Sequence, residues 1–159
     1  MEWKTILENS KDGSHIAQLY QHDLILCRSV GLYIKAGLKR GEAAVLVSTP
    51  DHTAAFCQNL STDGFDVKAL EKSGQLVILD AEATLSSFLV DGEPDRDLFI
   101  KVVGGVLEKA GDHYPRVRSF GEIWSISFGK KGNFPEPSPW KNYGMISQKR
   151  MPSPSFALM

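Results

Sequence analysis

A three-layer α/β/α domain with a mainly parallel sheet is the fold this sequence predicts, on two observations. The runs Glu42–Ser48 (EAAVLVS) and Gln75–Asp80 (QLVILD) are almost continuously apolar, as strands covered on both faces are. Segments of helical length alternate with such runs along the chain, the pattern of βαβ units and a sheet packed between helices.

The elements follow in order. His15–Tyr20 (HIAQLY) reads as the first strand after a polar, glycine-containing lead-in at Ser10–Ser14. Asp23–Leu38 is apolar at Leu24, Ile25, Cys27, Val30, Leu32, Ile34 and Leu38, nearly all round, so it predicts a buried helix. Gly37 and Gly41 punctuate its end, and Glu42–Ser48 follows as the second strand. Thr49-Pro50 reads as an N-cap and first helical residue, opening a helix that runs to about Leu60 and is ended by Asp63-Gly64. Gln75–Asp80 is the third strand and Ala81–Val90 a short helix. In Asp95–Ala110, Leu98, Phe99, Val102, Val103, Val106, Leu107 and Ala110 recur at helical spacing, which leaves Lys101, Glu108 and Lys109 outside. Pro115 breaks the chain, and Val117–Phe120 predicts the fourth strand.

Composition bounds the rest. A chain of 159 residues is about one domain long and large enough to fold without disulfides or a structural metal. The net charge is −1, with no basic patch or polybasic segment, which argues against nucleic acid and against a membrane surface as partners. Cys27 and Cys57 are the two cysteines, and each falls in an apolar helical stretch, so they read as buried thiols of a reducing compartment. The start, Met-Glu-Trp-Lys, lacks the basic and apolar regions of a signal peptide, and no apolar stretch is long enough to span a bilayer. The expected location is the cytoplasm.

In open parallel sheets ligands bind beyond the carboxyl ends of the strands. The segments that leave the four strands are Tyr20-Gln21-His22, Ser48-Thr49-Pro50-Asp51-His52, Asp80-Ala81-Glu82 and Gly121-Glu122. They predict one polar edge, although Thr49, Asp51 and Asp80 would equally serve as ordinary helix caps. His15, His22, His52 and His113 show no metal-ligand spacing with one another or with the cysteines, so no metal is expected. His15, opening a strand, suits a hydrogen-bonded structural histidine. There is no G-x-S-x-G elbow, no G-x-G-x-x-G and no G-x-x-x-x-G-K-[ST] loop. Walker-type phosphoryl transfer is therefore not expected, and neither a catalytic residue nor a cofactor is assigned.

His15-x4-Tyr20, Gly41-Glu42 heading a strand, Leu79-Asp80-Ala81 before a helix, Phe88–Asp91 (FLVD) and Arg118-Ser119-Phe120-Gly121-Glu122 stand in an order and spacing that resembles the MEDS family. These are sensory domains named for methanogens, methylotrophs and the dichloromethane-responsive regulator DcmR. The resemblance covers roughly residues 10–122. It implies a RecA/KaiC-like α/β fold without the phosphate-binding loop, and a non-catalytic role in sensing a small molecule. Relatives carry a histidine kinase or DNA-binding regulator domain, and neither lies within these 159 residues. By this resemblance His15, Tyr20, Glu42, Arg118 and Glu122 are the ligand-binding candidates. Arg118 and Glu122 flank the end of the fourth strand, either as a charged pair for a polar ligand or as a buried salt bridge tying strand to helix. Two other functions stay open: a degenerate RecA-like nucleotide-binding or ATP-hydrolysing domain, and a module that only dimerises.

Past Glu122 the sequence departs from the family. Five of the eight prolines lie in the last 25 residues and helical periodicity ends, so 124–159 is expected to be an irregular tail after a domain at 1–123, with low order beyond Lys149. Read one base over, with suitable third bases, the tail gives an amphipathic stretch with the L-E-E-L-W-N-like helix that relatives carry. The resemblance therefore implies a frameshift near Ile123, and an uncovered sheet edge through which two copies could associate as a homodimer.

Overall fold

The computed structural model describes residues 3–11, 15–20, 22–122 and 142–149, with 15–20 and 142–149 described by their backbone. Five strands form one sheet in the order β1-β7-β6-β2-β3: β1 is His15–Tyr20, β2 Ala43–Ser48, β3 Leu76–Asp80, β6 Val117–Gly121 and β7 Asn142–Lys149. β2 pairs in parallel with β3 and β6, whereas β7 is antiparallel to β6 on one side and to β1 on the other. The four expected strands therefore share one sheet and one direction. β7 is a correction: within 142–149 the tail is an ordered central strand, not irregular chain. Residues 124–141 and those beyond Lys149 lie outside the described residues.

β2 shows why an unbroken apolar run marks a two-sided strand. Ala44 and Leu46 enter one core with Leu76, Phe120 and residues of the helices α2 (Asp23–Lys39) and α3 (Pro50–Thr62), while Ala43, Val45 and Val47 enter a second core on the opposite face. That second core is closed by α5 (Ala81–Ser86) and by the helix running from Arg96 to Gly111. The result is the predicted three-layer α/β/α arrangement.

α2 buries Leu26, Val30, Tyr33, Ile34 and Leu38, a stripe at helical spacing. Lys35 pairs with Asp63 at the far end of α3, and this pair holds the Asp63 carboxyl below its ordinary range. Two helices escaped the sequence reading. α1 (Trp3–Glu8) is only 6 residues long, too short to persist alone. α4 (Val67–Ser73) was legible from its ends: Asp66 accepts from the Ala69 amide, and Gly74 closes the helix at φ 74°, a conformation glycine adopts without steric cost.

The expected helix at Ala81–Val90 stops at Ser86, and Leu89–Val90 (β4) instead pairs with Glu93–Pro94 (β5). Asp91 and Gly92 both have positive φ, 51° and 80°, the Asp-Gly signature of a two-residue hairpin turn. The predicted helix at 95–110 is present but interrupted. α6 (Arg96–Phe99) and α7 (Gly105–Gly111) flank a π turn at Ile100–Gly104. Leu98, Phe99, Val103, Val106 and Leu107 still pack on the second core, while Val102 is half-buried outside that set. The wider turn shifts the phase of the apolar stripe by one residue.

Candidate functional site

Two polar clusters lie at opposite ends of the central strands. At the amino end Arg118, on β6, is wholly buried. Its Nε donates to Glu42 Oε2 at 2.5 Å, Nη1 to the carbonyls of Leu7 and Tyr33 at 3.1 and 3.0 Å, and Nη2 to the Glu8 carbonyl at 3.2 Å. Its guanidinium carbon lies 4.8 Å from the centre of the Tyr33 ring. Arg40 adds bonds to the Glu8 carbonyl and to Asn9 Oδ1, so two arginines cap the orphan carbonyls of α1. Gly37 makes room for this cluster, because a Cβ there would stand 2.5 Å from Arg118 Cδ.

Burial pushes the Tyr33 phenol far above its ordinary value of 10, against the opposing pull of Arg118. A raised acid favours the folded state below pH 10 and loses that contribution as pH climbs past it, since the unfolded phenol ionises first. The 295 nm titration should therefore show one of the four tyrosines ionising late, with stability falling above about pH 10. In Tyr33→Phe the late step should be absent; its persistence would assign it to another tyrosine.

At the carboxyl end Glu122 follows β6 and is again buried. Its amide donates to the Val47 carbonyl at 3.0 Å, which holds it beside the end of β2. Oε2 accepts from the Thr49 amide at 2.9 Å, and Oε1 pairs with Nδ1 of His52, in the first turn of α3. The other ring nitrogen, Nε2, stands 3.4 Å from Oδ1 of Asp23, the largely exposed first residue of α2. Ser48 Oγ and Thr53 Oγ1 are 2.7 Å apart alongside. The His52 ring caps an aromatic column, tilted over Phe56 at 6.1 Å, with Phe56 edge-on to Phe120 at 5.5 Å.

The cluster is an Asp–His–Glu chain that runs from solvent into the sheet. A carboxylate on one ring nitrogen orients the ring and sets what the other can offer. Cys27, one turn beyond Asp23, feels the same charges: burial first, then Asp23 and Glu122, push its thiol up. It is therefore protonated at neutral pH, the opposite of an activated nucleophile. Among the described residues no group of three or more His, Cys, Asp or Glu is placed to hold a metal ion. Nor is any helix among them long and apolar enough to cross a membrane.

The five candidates divide between these ends. Glu42 and Arg118 pair with each other, so Arg118 is not the partner of Glu122. Four residues of strand separate those two side chains, about 13 Å at some 3.3 Å per residue. Arg118 thus ties β6 to α1 and α2 through the Leu7, Glu8 and Tyr33 carbonyls, with Glu42, just before β2, as its ion-pair partner. Tyr20 ends β1, and its register partner Asn142 lies three residues beyond Met145, the partner of Gly121. Its backbone is therefore at the carboxyl end with Glu122. His15 shares its β7 partner, Ser147, with Ser119, which sets it midway along β6; side-chain positions of β1 lie outside the described residues. Of the residues with alternative capping roles, Asp80 does cap its helix through the Ala83 amide, whereas Thr49 makes no side-chain cap and lends its amide to Glu122. His52 and Asp23 were not among the site candidates. The one signal was His52's place in the polar segment after β2, since its pairing with a residue 70 positions away is invisible along the chain.

No curated protein and no solved structure matches the chain. Residues 14–137 match the family model described as MEDS, the methanogen/methylotroph, DcmR sensory domain. With most of its length so matched, this chain belongs to the MEDS family of sensory domains.

Proposed function

We propose that this domain senses a small polar molecule at the carboxyl edge of its sheet, with His52 and Asp23 as the residues that meet it. The observation that carries the reading is the buried Glu122 carboxylate, which accepts from the Thr49 amide and holds the His52 ring by Nδ1. A buried charge so costly to desolvate is stable only when satisfied, and here its partners leave the imidazole edge aimed toward the exposed Asp23. Ligand at that edge would meet Nε2 and the Asp23 carboxylate. Binding would couple to the α2–α3 packing through the Lys35–Asp63 pair and the His52–Phe56–Phe120 column. In this reading Glu122 positions the histidine, Tyr20 borders the same edge, and Glu42 with Arg118 holds the opposite end of the fold. The segment after β1, Tyr20-Gln21-His22-Asp23, offers neither glycine nor lysine to a phosphate, which favours a small polar ligand over a nucleotide.

A thermal-shift screen with small metabolites tests this. Any compound that stabilises the wild-type chain should bind His52→Ala at least about tenfold more weakly, a loss of roughly 1.4 kcal/mol, and Asp23→Asn measurably more weakly. Equal affinity for both variants would place the site elsewhere.

A further inference from the structure

The tautomer of His52 decides what its outer nitrogen offers. Nδ1 is in hydrogen-bond contact with Oε1 of Glu122, whose other oxygen accepts from the Thr49 amide. Nε2 faces Oδ1 of Asp23 at 3.4 Å. A neutral imidazole carries one N–H and one lone pair, so only one of the two carboxylates receives its proton. The Glu122 side chain is 2% exposed and that of Asp23 70%. A buried carboxylate left facing a lone pair is far costlier than an exposed one that water can serve. The proton therefore sits on Nδ1. The distances agree: a charge-assisted N–H···O bond spans about 2.7–2.9 Å, and Nε2 stands well beyond that from Asp23.

Nε2 and Oδ1 are then two acceptors turned toward each other. An anion would be repelled there, and a group without N–H or O–H would satisfy neither. The surrounding charge has one sign. Residues 20–23, 48–52, 80–82 and 121–122, the segments at this edge, hold five carboxylates and no lysine or arginine. After burial, the charges of Asp23 and Glu122 are what push the Cys27 thiol up, so their field extends a turn along α2.

Resting on the reading of this edge as a sensing site, we propose that its ligand is a small protonated amine, which donates one N–H to His52 Nε2 and a second to the Asp23 carboxylate. Asp23, at the exposed start of α2, has room to swing outward as the nitrogen enters, so the amine bridges α2 to α3. Glu122 does not touch the amine. It is a positioning residue, and its part is to hold the ring proton on Nδ1. Glu122→Gln should undo that. With the glutamine oxygen kept by the Thr49 amide, its NH2 turns to Nδ1 and the ring proton moves to Nε2. The ring then donates to Asp23 in the amine's place.

The probe is ethylammonium chloride at about pH 8, where an ordinary histidine is neutral, with tetramethylammonium chloride and sodium acetate at equal ionic strength as controls. NMR of the ring nitrogens in the full chain reads the tautomer, and the signals lost in His52→Ala identify His52. A proton on Nδ1 and a bare Nε2 are expected, with Nε2 shifting as ethylammonium is added. Glu122→Gln should carry the proton on Nε2 and bind ethylammonium at least about tenfold more weakly, and Asp23→Asn should bind it measurably more weakly. Tetramethylammonium, a cation without N–H, should also bind at least about tenfold more weakly, and acetate should leave Nε2 unmoved. A wild-type ring protonated on Nε2, alone or together with Nδ1, overturns the proposal. So does tetramethylammonium that binds as well as ethylammonium, or an Nε2 that ignores ethylammonium at millimolar concentration. Should Glu122→Gln fail to fold, the wild-type spectra and Asp23→Asn decide by themselves. A neutral or anionic screening hit that His52→Ala weakens sinks the amine and spares the sensing edge; hits indifferent to both His52→Ala and Asp23→Asn sink both.

Discussion

Arg118→Ala should cost about 3–5 kcal/mol of folding stability, the range for breaking a buried ion pair by removing one partner. The loss has two parts. Glu42, only 3% exposed, would keep a buried carboxylate without its cation. The Leu7 carbonyl, at the end of α1, would lose the donor that Arg118 supplies, while the Glu8 carbonyl keeps Arg40, and a buried acceptor left unpaired costs about 1–3 kcal/mol. Against a total of roughly 5–15 kcal/mol for a domain, this variant stands near the limit of folding. Loss of the fold, not selective loss of ligand, is therefore the expected outcome at this position. Pairing Arg118→Met with Glu42→Leu should recover part of the stability by removing both charges, and only part, because the Leu7 carbonyl still lacks the donor that Arg118 supplied. Urea unfolding would measure this as a shift in midpoint at constant slope. A single-variant loss below about 1 kcal/mol would mean that water reaches the cluster and screens it.

The second large effect is expected at Phe120. Its ring is 1% exposed, packs edge-on against Phe56, and belongs to the same core as Leu46, Leu76 and Tyr33. Phe120→Ala should cost about 3–5 kcal/mol, the transfer of the ring plus the cavity it leaves. Phe120→Leu, closer in volume, should cost under about 1.5 kcal/mol. Because Phe56 also supports the His52 ring, the alanine variant should loosen the carboxyl edge as well. A histidine NMR signal for His52 that stays unshifted in Phe120→Ala would separate the aromatic column from the site.

How much of the site was legible follows from what each contact depends on. The polar character of the carboxyl edge could be read directly, because the segments that leave parallel strands fall on one side by topology, and Thr49, His52, Asp80 and Glu122 all lie in them. The split of Arg118 from Glu122 could not. Both are in one short motif, yet a four-residue strand interval carries them about 13 Å apart, and each meets a partner from a remote segment: Glu42 is 76 positions from Arg118 and His52 is 70 from Glu122.

By itself the sequence determined the family, the three-layer α/β/α class, the four parallel strands and the two-faced burial of β2. The family rests on a resemblance carried by the order and spacing of short motifs; the others rest on local periodicity and on the order of apolar runs, which survive in any packing that buries them. Only the tertiary structure decided the rest. α1 exists because Arg40 and Arg118 cap it from elsewhere in the chain. The π turn interrupts a helix whose periodicity looked unbroken. The prolines after Pro115 marked a tail without helix, yet they say nothing against a strand further on, and Asn142–Lys149 enters the sheet because β1 and β6 leave a slot whose backbone groups must be paired. A strand of that kind is specified by the edges waiting for it, and those edges come together only when the fold has formed.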